Sequence, residues 1–140
     1  MGVEVVAGID VGSGAARAVA IDRTGAVVAA SKAGYPARPG LAVGEADPAA
    51  WMKGLTAAFE GLGPVEPAAL GMGGQAPTTA ASSGELAITF RHPAGAAEGD
   101  AGQHAAQATL LRERFGDHLE PRHMWDHLLA ELGGSPELQS

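Results

Sequence analysis

The chain opens on an apolar run, "VEVVAGID", in which Val3, Val5, Ala7 and Ile9 alternate with Val6 and Gly8. Apolar residues at both parities predict a strand covered on both faces. "ARAVAID" repeats the pattern, with Val19 and Ile21 on one face and Ala18 and Ala20 on the other. "DRTG", Asp22 to Gly25, reads as a turn. "AVVAASKA" reads as a third strand that becomes polar at Ser31 and Lys32, as at a sheet margin. Three strands joined by short turns make an antiparallel meander.

Beyond a loop, "YPARPGLAVGEADP", Asp47 is a suitable N-cap and Pro48 a suitable first helical residue. Trp51, Leu55, Phe59 and Leu62 then fall on one stripe, which predicts an amphipathic helix stopped by Gly63 and Pro64. "AALGMGGQ" reads as a buried fourth strand entering a glycine turn. "TTAASSGELAITF" reads as a hairpin about Ser83 and Gly84. Two helices follow. The first, about 99–115, places Ala101, His104, Ala108, Leu111 and Phe115 on one face; the second, about 121–132, does so with Trp125, Leu128, Leu129 and Leu132. The order βββαβββαα predicts an α/β fold, a mixed sheet beginning with a three-strand meander and with helices packed on it. No repeat or linker divides the chain, so residues 1–133 are expected to form one domain and 134–140 a disordered tail.

Composition narrows the function classes. The 140 residues carry a net charge of −7, 46% apolar and 4% aromatic residues, and no cysteine. The negative charge argues against a nucleic-acid partner. The lack of cysteine removes disulfides, thiolate catalysis and cysteine zinc sites. No apolar run approaches the ~18 residues that span a bilayer. The N-terminus lacks a basic signal-peptide region, and Val6 stands where a myristoylation signal has Ser or Thr. The expected location is cytoplasmic, with no membrane partner.

The stretch "GIDVGSGAARAVAID" carries the candidate chemistry. It is neither a P-loop, since no lysine lies between Asp10 and Asp22, nor a dinucleotide fingerprint, since "GSGAAR" lacks the third glycine and enters a strand. Two readings stand on the residues. In one, Gly12, Ser13 and Gly14 offer backbone N–H groups to phosphate, Arg17 adds a forked cation, and Asp10 holds Mg²⁺, which offsets its repulsion from the phosphates. In the other, "DVGSG" is a tight hairpin whose glycines supply positive φ.

"GIDVGSGAARAVAIDRTGAVVA", followed by "YPARPG…GEADPAAW" and "LGMGGQ", resembles the N-terminal part of the FGGY family of carbohydrate kinases, which includes xylulokinase, gluconokinase and glycerol kinase. The match is specific from Val5 to about Gln75 and looser beyond. The resemblance implies a ribonuclease H-like, actin-like ATPase fold and phosphoryl transfer from Mg-ATP to a sugar or polyol hydroxyl. It places Asp10 (on Mg²⁺, through water), Gly12, Ser13, Gly14 and Arg17 at the ATP phosphates, and Gln75 near the acceptor sugar. Glu45 lies in a loop that borders the sugar cleft in the family. Gly14 stands where many members have a second hydroxyl residue. Ala76 and Pro77 replace the Met-His or Arg-Glu pairs of family members, and "FRHPAG" replaces a Trp-x-Asp-x-Arg segment, which leaves the substrate open. Family kinases are more than three times longer, and their catalytic Asp, second phosphate motif and adenosine pocket lie beyond residue 140. The expected reading is an N-terminal kinase segment that is not catalytically competent alone and awaits a C-terminal kinase portion. The alternative is a truncated binding or regulatory module, with a homodimer as one form of it.

Other candidates are weaker. His123 and His127, with Asp126 between, are a helical metal pair by spacing, but the wheel places them on a solvent face. His104 reads as a hydrogen-bonded core histidine rather than a catalytic one. Asp47 is explained by capping. Trp51 and Trp125 read as core rather than sugar platforms. Gly71, Gly73 and Gly74 permit either a sharp turn or a close ligand approach.

Overall fold

A computed structural model describes residues 3–76, 78–94 and 99–132; Pro77, the "GAAE" of 95–98 and the expected tail lie outside them. The chain divides into two compact units. The first comprises the chain up to Pro36 and Ala50–Gly74; the second comprises Ala37–Ala49 and Gln75–Glu131.

The first unit is built on the predicted meander. β1 (Val3–Val11), β2 (Ala15–Ile21) and β3 (Val27–Gly34) run antiparallel, and β5 (Val65–Gly74) joins β1 in parallel, giving the order β3-β2-β1-β5. The turn after β2 is held by Asp22, whose carboxylate accepts the Thr24 hydroxyl at 2.6 Å and the Thr24 and Ala26 amides at 2.8 and 3.1 Å. Those bonds, the Thr24 hydroxyl foremost, lower the Asp22 pKa. Gly25 closes the turn at φ +88°, a conformation that favours glycine.

Between meander and β5 runs α1 (Pro48–Glu60). Asp47 caps it as expected, accepting the Ala49 amide at 3.1 Å. Trp51, Leu55 and Ala58 are buried, with Leu62 just past the helix end, whereas Phe59, expected on this stripe, is only half-buried. Two glycines let this part of the chain approach the sheet. A Cβ at Gly54 would fall 2.6 and 2.7 Å from the Tyr35 ring, and one at Gly61 would strike Ser31. A mid-helix glycine costs about 0.8–1.0 kcal/mol relative to alanine, so Gly54 is explained by the ring that takes its place.

Among the described residues the sheet is covered on one face only, which corrects the expectation for β1. Val5, Ala7, Ile9 and Val11 are 0–3% exposed, yet Val6 on the opposite face is 54% exposed. β5 is likewise half-buried at a sheet edge rather than enclosed. Much of the open face is Val, Ala and Gly, whose hydropathy reads as core although nothing described lies over Val6.

The second unit holds an all-antiparallel sheet in which β4 (Glu45–Ala46), β7 (Ala87–Ile88), β6 (Thr79–Ala81) and β8 (Pro121–His123) lie side by side in that order. β6 (Thr79–Ala81) and β7 (Ala87–Ile88) form the predicted hairpin, with Gly84 at φ +79°. β4 (Glu45–Ala46) and β8 (Pro121–His123) were not predicted. Two- and three-residue strands carry no readable period. α2 (Gly99–Phe115) matches the expected bounds. Leu111 packs with Ala81, Leu86, Ile88 and Leu119 in the core.

α3 (Met124–Leu132) begins three residues later than expected, because 121–123 pair with β6. Its buried face also differs from the one expected. Met124, His127, Leu128 and Leu132 are buried, Leu129 is exposed, and His127 does not face solvent as predicted. On α2, Gln103 and Gln107 occupy buried positions while Ala101 is exposed. Each amide is satisfied: Gln103 Nε2 donates to the Phe90 carbonyl at 3.0 Å, and Gln107 Oε1 accepts the Thr79 hydroxyl at 2.7 Å. Buried amides with partners are tolerated where hydropathy alone reads polar.

Candidate functional site

β1 and β2 meet in a tight turn over Gly12, Ser13 and Gly14. The Gly12 N–H donates to the Ala15 carbonyl at 3.0 Å, so it closes the hairpin rather than facing outward. β2 starts at Ala15, and no helix follows the turn. Neither Gly12 nor Gly14 adopts a positive φ, so backbone conformation does not account for these glycines. A Cβ on Gly12 would press to 3.1 Å of the Ala15 oxygen and lie 3.6 and 3.8 Å from Asp10 Oδ2 and Arg17 Nη1; one on Gly14 would meet nothing within 4 Å. Packing accounts for the first glycine and leaves the second unexplained by the fold.

Strand register sets the rest. Asp10 is paired with Arg17 across β1–β2, Arg17 with Lys32 across β2–β3, and Asp10 with Gly73 across β1–β5. Directly paired residues share a face, so one row crosses the open face of the sheet: Gly73, Asp10, Arg17, Lys32. The row borders a depression of about 750 Å³ that also reaches Gly8 and Gly71. Gly71, Gly73 and Gly74 lie within β5, so they do not make the sharp turn that was one of their two readings. A Cβ at Gly71 would meet nothing within 4 Å, and at Gly73 only Asp10 Oδ1 at 3.9 Å. Their missing side chains leave the floor clear.

One anion and two cations sit in this row, locally positive in a chain of net charge −7. Arg17 and Lys32 face each other as like charges, a pairing that costs stability unless an anion lies between them. Lys32 was read only as a marker of the sheet margin; its place beside Arg17 comes from register, which composition does not display.

Tyr35, the only tyrosine, was also passed over. Its hydroxyl donates to the Gly12 carbonyl at 2.7 Å. Burial pushes the phenol pKa well up, and the Asp10 carboxylate raises it further against a smaller opposing effect of Arg17. Tyr35 therefore stays protonated and remains a donor.

The two residues assigned to a sugar lie in the second unit. Glu45 has both oxygens engaged: Oε1 accepts the Ala42 amide at 2.9 Å, and Oε2 accepts Arg114 Nη1 at 3.0 Å. It holds the 42–45 loop to α2. Gln75 is buried and directly follows β5.

Two of the five histidines, His104 and His123, form a structural group. His104 Nδ1 lies 2.6 Å from Thr79 Oγ1. The Thr79 proton is given to Gln107, so His104 Nδ1 carries the hydrogen of that contact. The His104 ring stacks on His123 at 3.7 Å and 16°. His104 makes the hydrogen bond expected of it but is half-buried rather than core, and His123 belongs to this stack rather than to a pair with buried His127. No group of three acidic or histidine side chains that could hold a metal occurs among the described residues.

Burial is the first cause lowering the pKa of both His104 and His127; His123 lowers His104 further while Asp126 opposes, and Glu131 and Arg122 act on His127 in opposite senses. An unfolded histidine protonates near pH 6.5. The folded chain resists that proton, so stability present above about pH 6.5 is lost as pH falls through the lower folded values. Thermal melts from pH 8 to pH 5 are expected to show a falling midpoint, and His127→Gln is expected to flatten the fall.

The sequence matches no protein-family model and no curated protein. Its structure is similar to part of a xylulose kinase from Bifidobacterium adolescentis, at 24% identity and TM-score 0.55, over 68% of this chain and 19% of that one. It is also similar to a gluconate kinase from Lactobacillus acidophilus, at 21% identity and TM-score 0.52, over 79% of this chain and 24% of that one. The chain thus spans 19–24% of the length of these two sugar kinases and shares the fold of the matched part.

Proposed function

We propose that the chain supplies the phosphate hairpin of an ATP-dependent carbohydrate kinase of FGGY type, within a ribonuclease H-like, actin-like ATPase fold. The observation that carries this reading is the row Asp10–Arg17–Lys32 beside a bare glycine tip, on an antiparallel hairpin in a fold shared with sugar kinases. Its donor set fits Mg-ATP. Asp10 is an exposed carboxylate at the edge of a depression of about 750 Å³, large enough for a nucleotide's polyphosphate.

In this reading Arg17 holds phosphate oxygens through its forked donors. Ser13 and Gly14 lend the hairpin tip, while Gly12 keeps the turn closed. Asp10 holds water-bound Mg²⁺, which on binding would offset charge on the transferring phosphoryl group. Gln75 orients the acceptor sugar or polyol; Glu45 acts on its loop rather than on substrate. No residue of these 140 is assigned as the base for the acceptor hydroxyl. Phosphoryl transfer depends on positioning and charge stabilisation from several segments at once, so these residues alone are expected to bind nucleotide without appreciable turnover.

The test is an ATP titration with and without Mg²⁺ on the wild-type chain and on Asp10→Ala. Mg²⁺ is expected to tighten binding to the wild type and to have little effect on the variant. Absence of wild-type binding at millimolar Mg-ATP defeats the reading.

A second reading has one observation of its own. The open face exposes Val6, Val27 and Val28 at 54%, 62% and 43%. Exposed valines on one face suit the docking surface that a non-catalytic module or homodimer requires. A concentration-dependent dimer by sedimentation, with no nucleotide binding, would favour that reading.

A further inference from the structure

We infer that Tyr35 is a positioning residue for the candidate phosphate hairpin, setting the direction of the Ser13 amide from outside the turn; its bearing on nucleotide rests on the function proposed above. The geometry begins at α1. Gly54 leaves a gap where a Cβ would stand, and the Tyr35 ring fills it, its Cδ1 and Cε1 atoms 2.6 and 2.7 Å from that point. The ring is thereby seated against the helix, and its hydroxyl reaches the Gly12 carbonyl at 2.7 Å. Tyr35 immediately follows β3, whose last residue, Gly34, pairs with Ala15 at the start of β2. The phenol therefore bridges helix and hairpin from the neighbouring strand.

The consequence follows from the peptide plane. In a trans peptide the carbonyl oxygen and the next N–H point in opposite directions. Holding the Gly12 oxygen toward Tyr35 therefore turns the Ser13 N–H the other way. At the same residue, the Gly12 N–H is committed to the Ala15 carbonyl at 3.0 Å. With the peptide anchored on both sides of Gly12, rotation of the Gly12–Ser13 plane is restrained. Without the hydroxyl, that plane can turn, bringing a carbonyl oxygen, rather than an N–H, toward an anion at the tip. Burial and the nearby Asp10 charge keep the phenol protonated, as this donor role needs.

The experiment compares wild type, Tyr35→Phe and Gly54→Ala in the 140-residue chain by residue-resolved amide hydrogen exchange, melting temperature and Mg-ATP titration. Tyr35→Phe keeps the ring against Gly54 and removes only the hydroxyl. It is expected to melt within a few degrees of wild type, to speed Ser13 amide exchange about fivefold, and to weaken Mg-ATP binding by a similar factor, the scale of one neutral hydrogen bond. Gly54→Ala, which displaces the ring, is expected to speed the same amide despite alanine's better helix propensity. Unchanged Ser13 exchange in Tyr35→Phe overturns the inference and leaves Tyr35 a packing residue. Faster exchange with unchanged nucleotide affinity also overturns it as a statement about phosphate binding. If wild type binds no Mg-ATP, the kinase reading fails, and the exchange rates still decide whether Tyr35 orients the hairpin.

Discussion

Arg17→Ala is expected to weaken Mg-ATP binding by about tenfold, with Arg17→Lys recovering only part of the loss. A charge-assisted hydrogen bond contributes about 1.5–3 kcal/mol, and a factor of ten corresponds to about 1.4 kcal/mol. The lower end applies because Arg17 is exposed and solvent screens it. Lysine keeps the charge but loses the fork that grips two phosphate oxygens. The neighbour sharpens the test. Since Lys32 pairs with Arg17 across β2–β3, Arg17→Ala also relieves a like-charge contact in the unliganded chain. Because it also removes the opposite-charge neighbour of Asp10 across β1–β2, the variant should fold about as well as wild type while binding less tightly. Calorimetric titration and a thermal melt on the same sample separate the two effects. Equal affinity for wild type and Arg17→Ala would remove Arg17 from the site.

Trp51→Ala is expected to have the largest effect on stability, about 3–5 kcal/mol, the range for deleting a large buried aromatic. Domains of this kind have a total stability of only about 5–15 kcal/mol. Trp51 is 1% exposed on the buried stripe of α1. A sugar could reach its ring only if the fold opened, so the platform reading is closed. In urea the midpoint should fall by about 2 M at an ordinary m value. The chain has two tryptophans, and the variant leaves Trp125, in the second unit, as the sole indole reporter. Comparing its fluorescence with far-ultraviolet circular dichroism shows whether the second unit unfolds in the same transition. A loss below 1 kcal/mol would mean the Trp51 cavity collapses without cost or that the residue is not core.

What was legible in the sequence was local. The meander, the Asp47 cap, the α1 stripe, the Ser83–Gly84 hairpin and the bounds of α2 each follow from turn chemistry or from periodicity over enough residues to be read. The hairpin with Asp10, Gly12, Ser13, Gly14 and Arg17 was found the same way, because its members lie within eight residues of one another. Short strands were missed at 45–46 and 121–123, where pairing partners outweigh local preference. Tertiary packing covers the α3 face that carries Met124 and His127, so His127 lies in the interior rather than on the expected solvent face.

The tertiary structure decided which faces are covered and which distant residues become neighbours. Val6 and Ile9 are both apolar, and only the cover over one face of the sheet distinguishes the exposed one from the buried one. Lys32 stands beside Arg17 through strand register, and Tyr35 reaches Gly12 because a helix glycine leaves room for its ring. Glu45, a carboxylate in a loop by sequence, has both oxygens satisfied once the loop docks on α2. Periodicity and turn chemistry are properties of neighbours along the chain, so sequence displays them directly. Register, one-sided cover and partners for buried polar atoms arise between segments far apart in sequence, and only the folded chain brings those segments together.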